Sequence, residues 1–356
     1  MNHPMTATGI VREERFLDHE MGAFHPESPE RLRVLYDLLD TPNWRGGWVP
    51  IPARPAEPDH LLAVHDPGYL DRLSGTQGRS HTFLDPDTSA CSASWDAAVS
   101  AAGGLCNAVS EVCARRIRNA FALVRPPGHH AESARAKGFC LVNNIAVAAR
   151  YAQTTLGLSR ILIVDWDLHH GNGTQHTFEE DPSVLYISAH QYPYYPGTGA
   201  FEETGVGEGR GYTMNIPLRA GCGDGEYAAL FEEIIRPAAQ SYRPDLVLVS
   251  AGMDIHPSDP LGGMGVTPRG FAAMTRNLME IAETSCEGKL VLTLEGGYNL
   301  GGLRDSVGAI LNELTERSRT DPGSVSVGAR RRLVDPVVRK VREMHAGTWP
   351  AIGHTP

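Results

Sequence analysis

The sequence predicts a single large α/β domain with a mostly parallel central sheet and helices on both faces. Short, nearly continuous apolar runs alternate with amphipathic stretches through the central and C-terminal portions. Such runs are typical of strands that are covered on both faces, and the alternation indicates a parallel sheet. The 356 residues are 41% hydrophobic and show no shift in composition, so we expect one core rather than two domains.

Periodicity and helix-start signals place the individual elements. Five strands are predicted, at 120–125, 160–165, 183–188, 245–250 and 289–294. One helix is predicted to open at Ser28-Pro29-Glu30-Arg31 and to run to about Asp40. Further helices are predicted at 92–116, 143–156, 226–240, 268–285 and 300–317. Thr267-Pro268 is interpreted as an N-cap threonine followed by proline at the first helical position.

Two connectors and a C-terminal extension are predicted. The 41–58 stretch, which holds five prolines, is expected to be a surface connection. Residues 190–225 are expected to form a Gly-rich connector, and connectors of that length are usually functional. The domain core is predicted at about 8–315, with 316–356 as a polar C-terminal extension.

Composition excludes several classes of function. Lys and Arg total 32 against 42 Asp and Glu, a balance that argues against a nucleic-acid-binding surface. We find no apolar stretch of membrane-spanning length, no signal-peptide core at the N-terminus and no phosphate-binding glycine motif. Six scattered cysteines without a C-x-x-C pair suit a reducing compartment, so a soluble cytoplasmic protein is expected.

Reactive side chains follow four of the predicted strands. His129 and His130 follow the first, Asp165 to Asn172 follow the second, and Asp254 and Tyr298 follow the last two. Because ligands bind beyond the carboxyl ends of strands in open α/β sheets, these segments are expected to converge on an active site.

A catalytic metal site is predicted from three of these residues. Asp167 and His169 are spaced by two on an extended segment, so their side chains share a face. Asp254 at a neighbouring strand end can complete an Asp2His set. Three protein ligands leave one position open, as in catalytic rather than structural zinc sites.

The two histidines each need an orienting partner for the second ring nitrogen. Asp165 and Asn172 are the available candidates, and a carboxylate partner would raise imidazole basicity where an amide would not. The histidines would then differ in pKa, which suits separate acid and base roles. Tyr298 follows two glycines, and its hydroxyl could donate to a developing oxyanion.

Six motifs, in this order, resemble those of the zinc-dependent histone deacetylase family, particularly its bacterial members similar to class II enzymes. They are Gly128-His-His-Ala131, Gly138-Phe-Cys140 with Asn143-Asn144, Val164 to Gln175, Tyr195-Pro-Gly-Thr-Gly199, Ser250-Ala-Gly-Met-Asp254 and Leu294-Glu-Gly-Gly-Tyr-Asn-Leu300. His25-Pro-Glu-Ser-Pro-Glu-Arg-Leu32 resembles the family's N-terminal signature. The resemblance spans roughly residues 8–315.

The resemblance implies an arginase-like fold with an eight-stranded parallel sheet, and hydrolysis of acetylated amines. It implies Asp167, His169 and Asp254 as zinc ligands, with Fe²⁺ as the other ion to consider. It implies His130 beside Asn172 as general base and acid, His129 held by Asp165 as its electrostatic partner, and Tyr298 as oxyanion donor. Gly171 stands where arginases have a further Asp, which disfavours a dinuclear manganese site.

The resemblance also implies a substrate tunnel and a second cation. Phe139 and Tyr195 would form its aromatic walls, with Gly138 beside them, Leu261 at the mouth and Asp87 as a rim carboxylate. A structural K⁺ would be held by Asp165, Asp167, the backbone of His169 and Ser188. Two positions depart from the family: Tyr195 where Phe is commoner, and Met253 before the last ligand.

Three functional hypotheses remain open from the sequence. The first is a deacetylase for acylated lysine in peptides or proteins, which hydroxamate chelators would inhibit. The second is a deacetylase for small acetylated amines such as acetylpolyamines, although Leu261 at the mouth supplies no charge for a second ammonium. The third is a catalytically silent binding protein. Acyl-chain preference, native metal and oligomeric state are not determined.

Overall fold

A central sheet of eight parallel strands organises the structure, a computed structural model that describes residues 7–353. Its strands are β1 (Thr8–Val11), β2 (Val49–Ile51), β5 (Asn119–Ala122), β6 (Ile161–Asp165), β7 (Val184–Gln191), β8 (Thr213–Leu218), β9 (Leu246–Ala251) and β10 (Leu290–Leu294). Their order is β2-β1-β5-β10-β9-β6-β7-β8, and every neighbouring pair is parallel. The predicted α/β fold with about eight parallel strands is therefore confirmed.

Helices connect and cover these strands. They are α1 (Glu30–Asp40), α2 (Pro58–Leu62), α3 (Pro67–Ser74), α4 (Ser94–Cys113), α5 (Asn144–Thr154), α6 (Asn172–Phe178), α7 (Asp224–Leu230), α8 (Arg236–Tyr242), α9 (Pro268–Cys286), α10 (Leu300–Leu314), α11 (Pro322–Ser326) and α12 (Arg331–His345). A π-helical turn, Phe231–Ile235, joins α7 to α8. The helix predicted at 226–240 is therefore a continuous helical segment with a π-helical turn in its middle. A separate antiparallel hairpin consists of β3 (Thr82–Asp85) and β4 (Thr88–Ala90).

All five strands predicted from apolar runs are present, but the two connectors were wrongly predicted as irregular. The 190–225 segment contains all of β8, and 41–58 contains β2 with a buried Ile51. Both strands lie at the sheet edges. An edge strand pairs on one side only, so it tolerates Pro217 and Asn215 and lacks a continuous apolar signature.

The start of α9 differs from the interpretation of Thr267 as a side-chain cap. Thr267 occupies the N-cap position, but its hydroxyl makes no capping bond to the helix. It donates instead to Asp224 Oδ2, at 2.7 Å, and its backbone N–H donates to Oδ1 of the same carboxylate. The threonine therefore ties the start of α9 to the start of α7.

The segment after residue 316 packs on the rest of the chain. Val334, Val338 and Val341 of α12 are buried, and Trp349 donates from Nε1 to Gly211 O at 2.7 Å, close to the start of β8. The first six residues, part of the stretch predicted to lack a signal-peptide core, are outside the described range. Among residues 7–353, no helix has both the length and the apolarity to cross a bilayer.

Candidate active site

The carboxyl ends of two adjacent strands bring Asp167, His169 and Asp254 together. β6 and β9 are neighbours, with Asp165 in register with Ser250, so the residues that follow both strands emerge side by side. His169 Nδ1 lies 3.2 Å from Asp167 Oδ1 and 3.2 Å from Asp254 Oδ2. One potential ligand atom from each residue lies within 4.8 Å of the others, as a single cation site requires.

The donor set fits a divalent cation. Asp254 Oδ2 is buried without a hydrogen-bond partner among the described residues, whereas Oδ1 accepts from Leu168 N at 2.9 Å. Burial and the nearby Asp167 carboxylate raise the pKa of Asp254, because both penalise its charged form. A divalent cation would remove that penalty, and two carboxylates with one imidazole are ligands that zinc accepts.

The two histidines have different orienting partners. His129 Nδ1 lies 3.0 Å from Asp165 Oδ2, and His130 Nδ1 lies 2.8 Å from Asn172 Oδ1. An amide oxygen can only accept, so His130 Nδ1 carries the proton and Nε2 is left as the acceptor. Asp165 is further fixed by the Tyr186 hydroxyl, which donates to Oδ2 at 3.0 Å.

These environments shift the two histidine pKa values in opposite directions. Burial opposes a charge on His129, but Asp165 and Asp167 outweigh it and raise its pKa to about 10. For His130, burial and the neighbouring rings of His129 and His169 lower the pKa well below its usual value. His129 therefore carries positive charge while His130 is neutral and able to accept a proton.

A cavity of about 140 Å³ leads to the Asp167–His169–Asp254 group. Its lining consists of Asp87, His130, Gly138, Phe139, His169, Tyr195, Leu261 and Tyr298. All five residues predicted to bind substrate are therefore in the lining, together with one predicted ligand, the predicted base and the predicted oxyanion donor. His129 is not in that lining, so the charged histidine lies behind the neutral one.

The β3–β4 hairpin holds the segment that forms one wall of this cavity. Asp87 Oδ1 accepts from Gly138 N at 3.1 Å, and Thr88 Oγ1 accepts from Phe139 N at 2.9 Å. Gly138 and Phe139 both have positive φ, 56° and 69°. A Cβ on Gly138 would lie 2.3 Å from His130 Cδ2, so the wall can approach the histidine only with glycine there.

Tyr298 is positioned by residues to which the sequence assigned no role. Asp259 Oδ2 accepts from Tyr298 N at 2.6 Å, and Asp259 Oδ1 accepts from Leu261 N at 2.9 Å. The Arg31 guanidinium lies 5.0 Å from the centre of the tyrosine ring. Burial raises the pKa of Tyr298 well above its usual value, so its hydroxyl stays protonated as a donor.

Arg31 belongs to a buried ionic cluster, which we define as Glu27, Arg31 and Arg125. Arg31 Nε donates to Gly297 O at 2.7 Å, and its Nη1 donates to Glu27 Oε1 at 3.1 Å. Arg125 donates to both oxygens of Glu27. Two members of this cluster, Glu27 and Arg31, lie in the His25–Leu32 signature, but only the fold connects the cluster to the Tyr298 loop.

Glu295 is another residue without a predicted role. Its Oε2 accepts from Gly128 N at 2.7 Å and from His129 N at 3.2 Å, and Ser250 Oγ donates to Oε1. His129, Cys140 and Glu295 also form a group of possible metal-binding atoms. We assign no cation there, because backbone N–H groups engage Glu295, Asp165 engages the histidine, and burial raises the pKa of the Cys140 thiol.

The residues expected around potassium lie on adjoining strands. Asp165 and Ser188 are in register between β6 and β7, and Ser188 Oγ lies 2.9 Å from His190 Nδ1. The potassium site stays a prediction. Gly171 has no room for the arginase-type carboxylate, because a Cβ there would lie 2.3 Å from Asp165 Oδ2.

The chain is similar to proteins of one known family. The histone deacetylase domain family matches residues 25–314. A probable deacetylase of Archaeoglobus fulgidus is 42% identical over 297 residues, which are 83% of this chain and 82% of that protein. Histone deacetylase 15 of Arabidopsis thaliana is 42% identical over 318 residues, 87% of this chain but only 57% of that protein. A crystal structure of the HDA15 HD domain superposes with a TM-score of 0.89 at 39% identity, covering 98% of this chain and 97% of that one.

Proposed function

Because the chain belongs to the histone deacetylase family, we propose that it hydrolyses the amide of an acetylated lysine side chain and releases acetate. The observation that carries the proposal is the 140 Å³ cavity. It brings His130, His169 and Tyr298 into one lining, directly at the Asp167–His169–Asp254 group.

Asp167, His169 and Asp254 would hold a divalent cation, for which we propose Zn²⁺ with Fe²⁺ as the alternative. When bound, the cation supplies Lewis acidity toward an amide carbonyl and a water molecule. His169 Nδ1 faces both carboxylates, and these raise its pKa to about 9 despite burial. A cation would therefore compete with a proton at this nitrogen, so its binding releases protons.

The remaining residues would handle protons and charge. His130, neutral with a free Nε2, accepts the proton of the attacking water and later donates it to the departing lysine amine. The positive charge of His129 stabilises negative charge that develops at the carbonyl oxygen. The Tyr298 hydroxyl, kept protonated by burial, donates a hydrogen bond to that oxygen.

The cavity walls suit an alkyl stem that ends in a small acyl group. Phe139, Tyr195 and Leu261 supply apolar surface, and the Phe139 ring lies edge-on to Tyr298 with 5.8 Å between ring centres. The methylenes of a lysine side chain would gain free energy by leaving water along these walls.

The primary experiment is a substrate panel with the metal-loaded protein. Acetyl-lysine peptides are expected to be hydrolysed, and a hydroxamate chelator is expected to abolish turnover. Acetylpolyamines form the second arm, and a higher kcat/KM for them than for peptides would overturn the lysine assignment. Cleavage of neither class by protein that carries stoichiometric metal would support a binding role instead.

Tyr298→Phe tests the oxyanion donor. Loss of one such donor lowers kcat by about 10²–10³-fold. The hydroxyl is absent from the ligand set, so metal content and unfolding temperature are expected to match the wild type. Turnover at the wild-type rate would refute the role of Tyr298.

A further inference from the structure

Two exposed phenylalanines are attached to the segments that build the cavity mouth. Phe24 is fully exposed and Phe83 is 80% exposed. Among the large hydrophobic side chains of the described residues, only Val327 has an exposed fraction between these two values. Keeping an aromatic ring in water costs free energy relative to burying it, and neither ring is needed to fill the core. We call these two side chains the aromatic rim.

Both rim residues adjoin the wall that carries Phe139. The residue after Phe24, His25, contacts Phe139 edge-on with 4.6 Å between ring centres. Phe83 belongs to the β3–β4 hairpin, whose Asp87 and Thr88 accept hydrogen bonds from Gly138 N and Phe139 N. The two segments that contact the Phe139 wall, one through His25 and one through the hairpin, therefore each present a phenyl ring to solvent.

The conformation of Phe24 indicates that its exposure is not incidental. Its φ is 66°, in the left-handed region that L-residues other than Asn, Asp and Gly rarely adopt. A bulky side chain in that region is strained, and here the strain is combined with full solvent exposure. Phe83 is similarly uncovered, and the His81 ring lies edge-on to it with 4.5 Å between ring centres.

The charges at this mouth favour an apolar occupant over a polycation. The two carboxylates of the hairpin are both engaged, since Asp85 pairs with Arg135 and Asp87 accepts from Gly138 N and the Thr88 hydroxyl. Lys137 places its Nζ 5.5 Å from the Tyr195 ring, which adds positive charge beside the cavity. Asp87 keeps its negative charge, but Arg135 and Lys137 balance the two hairpin carboxylates, so the mouth offers no net negative charge to the second ammonium of a polyamine.

We propose that the aromatic rim binds the polypeptide that flanks the acyl-lysine, and that it selects apolar side chains next to that lysine. This inference rests on the proposed deacetylase function and specifies its substrate as an acyl-lysine segment with aliphatic or aromatic neighbours. Burial of two phenyl rings against such side chains would contribute to binding without touching the reacting atoms.

The test compares three peptides that differ only beside the acetyl-lysine: leucine-flanked, serine-flanked and aspartate-flanked. The wild type is expected to show a kcat/KM for the leucine peptide at least tenfold above that for the serine peptide, mainly through KM. The double variant Phe24→Ser/Phe83→Ser is expected to bring that ratio close to one. Each single variant should lower it in part, which keeps the test usable if the double variant is unstable.

Val327→Ser is the matched control, since Val327 is 86% exposed on the C-terminal segment and outside the cavity lining. It should keep the wild-type ratio. Equal rates for leucine and serine peptides in the wild type, a preference for the aspartate peptide, or an unchanged ratio in the double variant would each overturn the proposal. Failure of the proposed function itself would look different, because then none of the three peptides would be hydrolysed.

Discussion

Gly296 shows how closely the backbone approaches the predicted metal ligands. Its N–H donates to Asp167 Oδ2 at 2.8 Å, and a Cβ at this position would lie 2.3 Å from Asp254 Oδ2 and 2.7 Å from Asp167 Oδ2. Contacts that short force the carboxylates apart, so only glycine leaves the group of ligand atoms undisturbed.

Gly296→Ala is therefore expected to lose stoichiometric metal and, with it, turnover. The measurement is metal content after dialysis against Zn²⁺, with activity measured in parallel. Gly301→Ala, at the exposed start of α10 where the nearest atom would be 3.5 Å away, is the control and should retain both. A Gly296→Ala protein with one tightly bound zinc would contradict the proposed ligand set.

Glu27 neutralises two buried arginines and is itself fully buried. Burial disfavours its charge, but Arg125 outweighs burial and, with His19 Nε2 3.4 Å from Oε2, lowers the pKa of Glu27 well below its usual range. Glu27→Gln would leave Arg31 and Arg125 short of negative charge in the interior. We expect the free energy of unfolding to fall by about 3–5 kcal/mol.

Denaturant unfolding measures that loss, and Glu30→Gln on the surface of α1 is the matched control. Glu30 pairs with Arg33, and both side chains are about half exposed, so its replacement should change stability by less than about 1 kcal/mol. Equal effects of the two substitutions would show that the buried cluster contributes no more than a surface pair.

At the scale of elements, His65 links the loop before α3 to the start of α5. Its Nε2 accepts from Asn143 N at 3.0 Å, and its Nδ1 lies 3.0 Å from Glu132 O. Asn143 is the N-cap of α5, with its side chain accepting from Ala146 N. Protonation of His65 at Nε2 would remove the first of these bonds.

Burial lowers the pKa of His65 to about 4 from an ordinary value of 6.5. Between pH 4 and pH 6.5 the unfolded chain therefore binds more protons at His65 than the folded chain. The contribution of neutral His65 to the free energy of unfolding is complete above pH 6.5 and is lost as the pH falls toward 4. The loss amounts to about 3 kcal/mol at most.

In His65→Gln, the free energy of unfolding should fall less steeply between pH 6.5 and pH 4 than in the wild type, whereas the exposed control His81→Gln should follow the wild type. Parallel curves for His65→Gln and the wild type would contradict this role of His65.

Elements were predictable where their own pattern carried the information. The five apolar strands and the helices α1, α4, α5, α9 and α10 were found because a buried strand or an amphipathic helix leaves a periodic signature. Strand β1, the edge strands β2 and β8, and the hairpin strands β3 and β4 were not found. Their pairing with neighbours, rather than their composition, makes them strands.

At the scale of the whole molecule, the C-terminal segment closes one edge of the fold. The Trp349 ring packs edge-on against Tyr212, before β8, and Tyr242, at the end of α8, with ring centres 5.3 and 5.9 Å apart. Trp349→Ala is expected to lower the free energy of unfolding by about 3–5 kcal/mol. Thermal and denaturant unfolding would measure it, with Val327→Ser as the exposed control; a loss below about 1 kcal/mol would show that the segment is only loosely attached.

The sequence by itself determined the fold class, the five apolar strands, and which residues were expected to meet at the carboxyl ends of those strands. These follow from local periodicity and from motifs whose residue types already specify metal or proton chemistry. Asp165 and Asn172 were the candidate partners of the two histidines, but only the family resemblance implied which histidine each of them orients.

Only the tertiary structure decided which distant residues support that chemistry. Arg31 donates to Gly297 O beside Tyr298, Asp259 accepts from Tyr298 N, and Glu295 accepts from Gly128 N and His129 N. The contacts of Arg31 and Glu295 join segments more than a hundred residues apart. Charged side chains of this kind are ordinarily solvated, so their types in a sequence do not reveal burial. Their role arises when the sheet order brings β5, β10, β9 and β6 side by side, because neighbouring strand ends then share one interior.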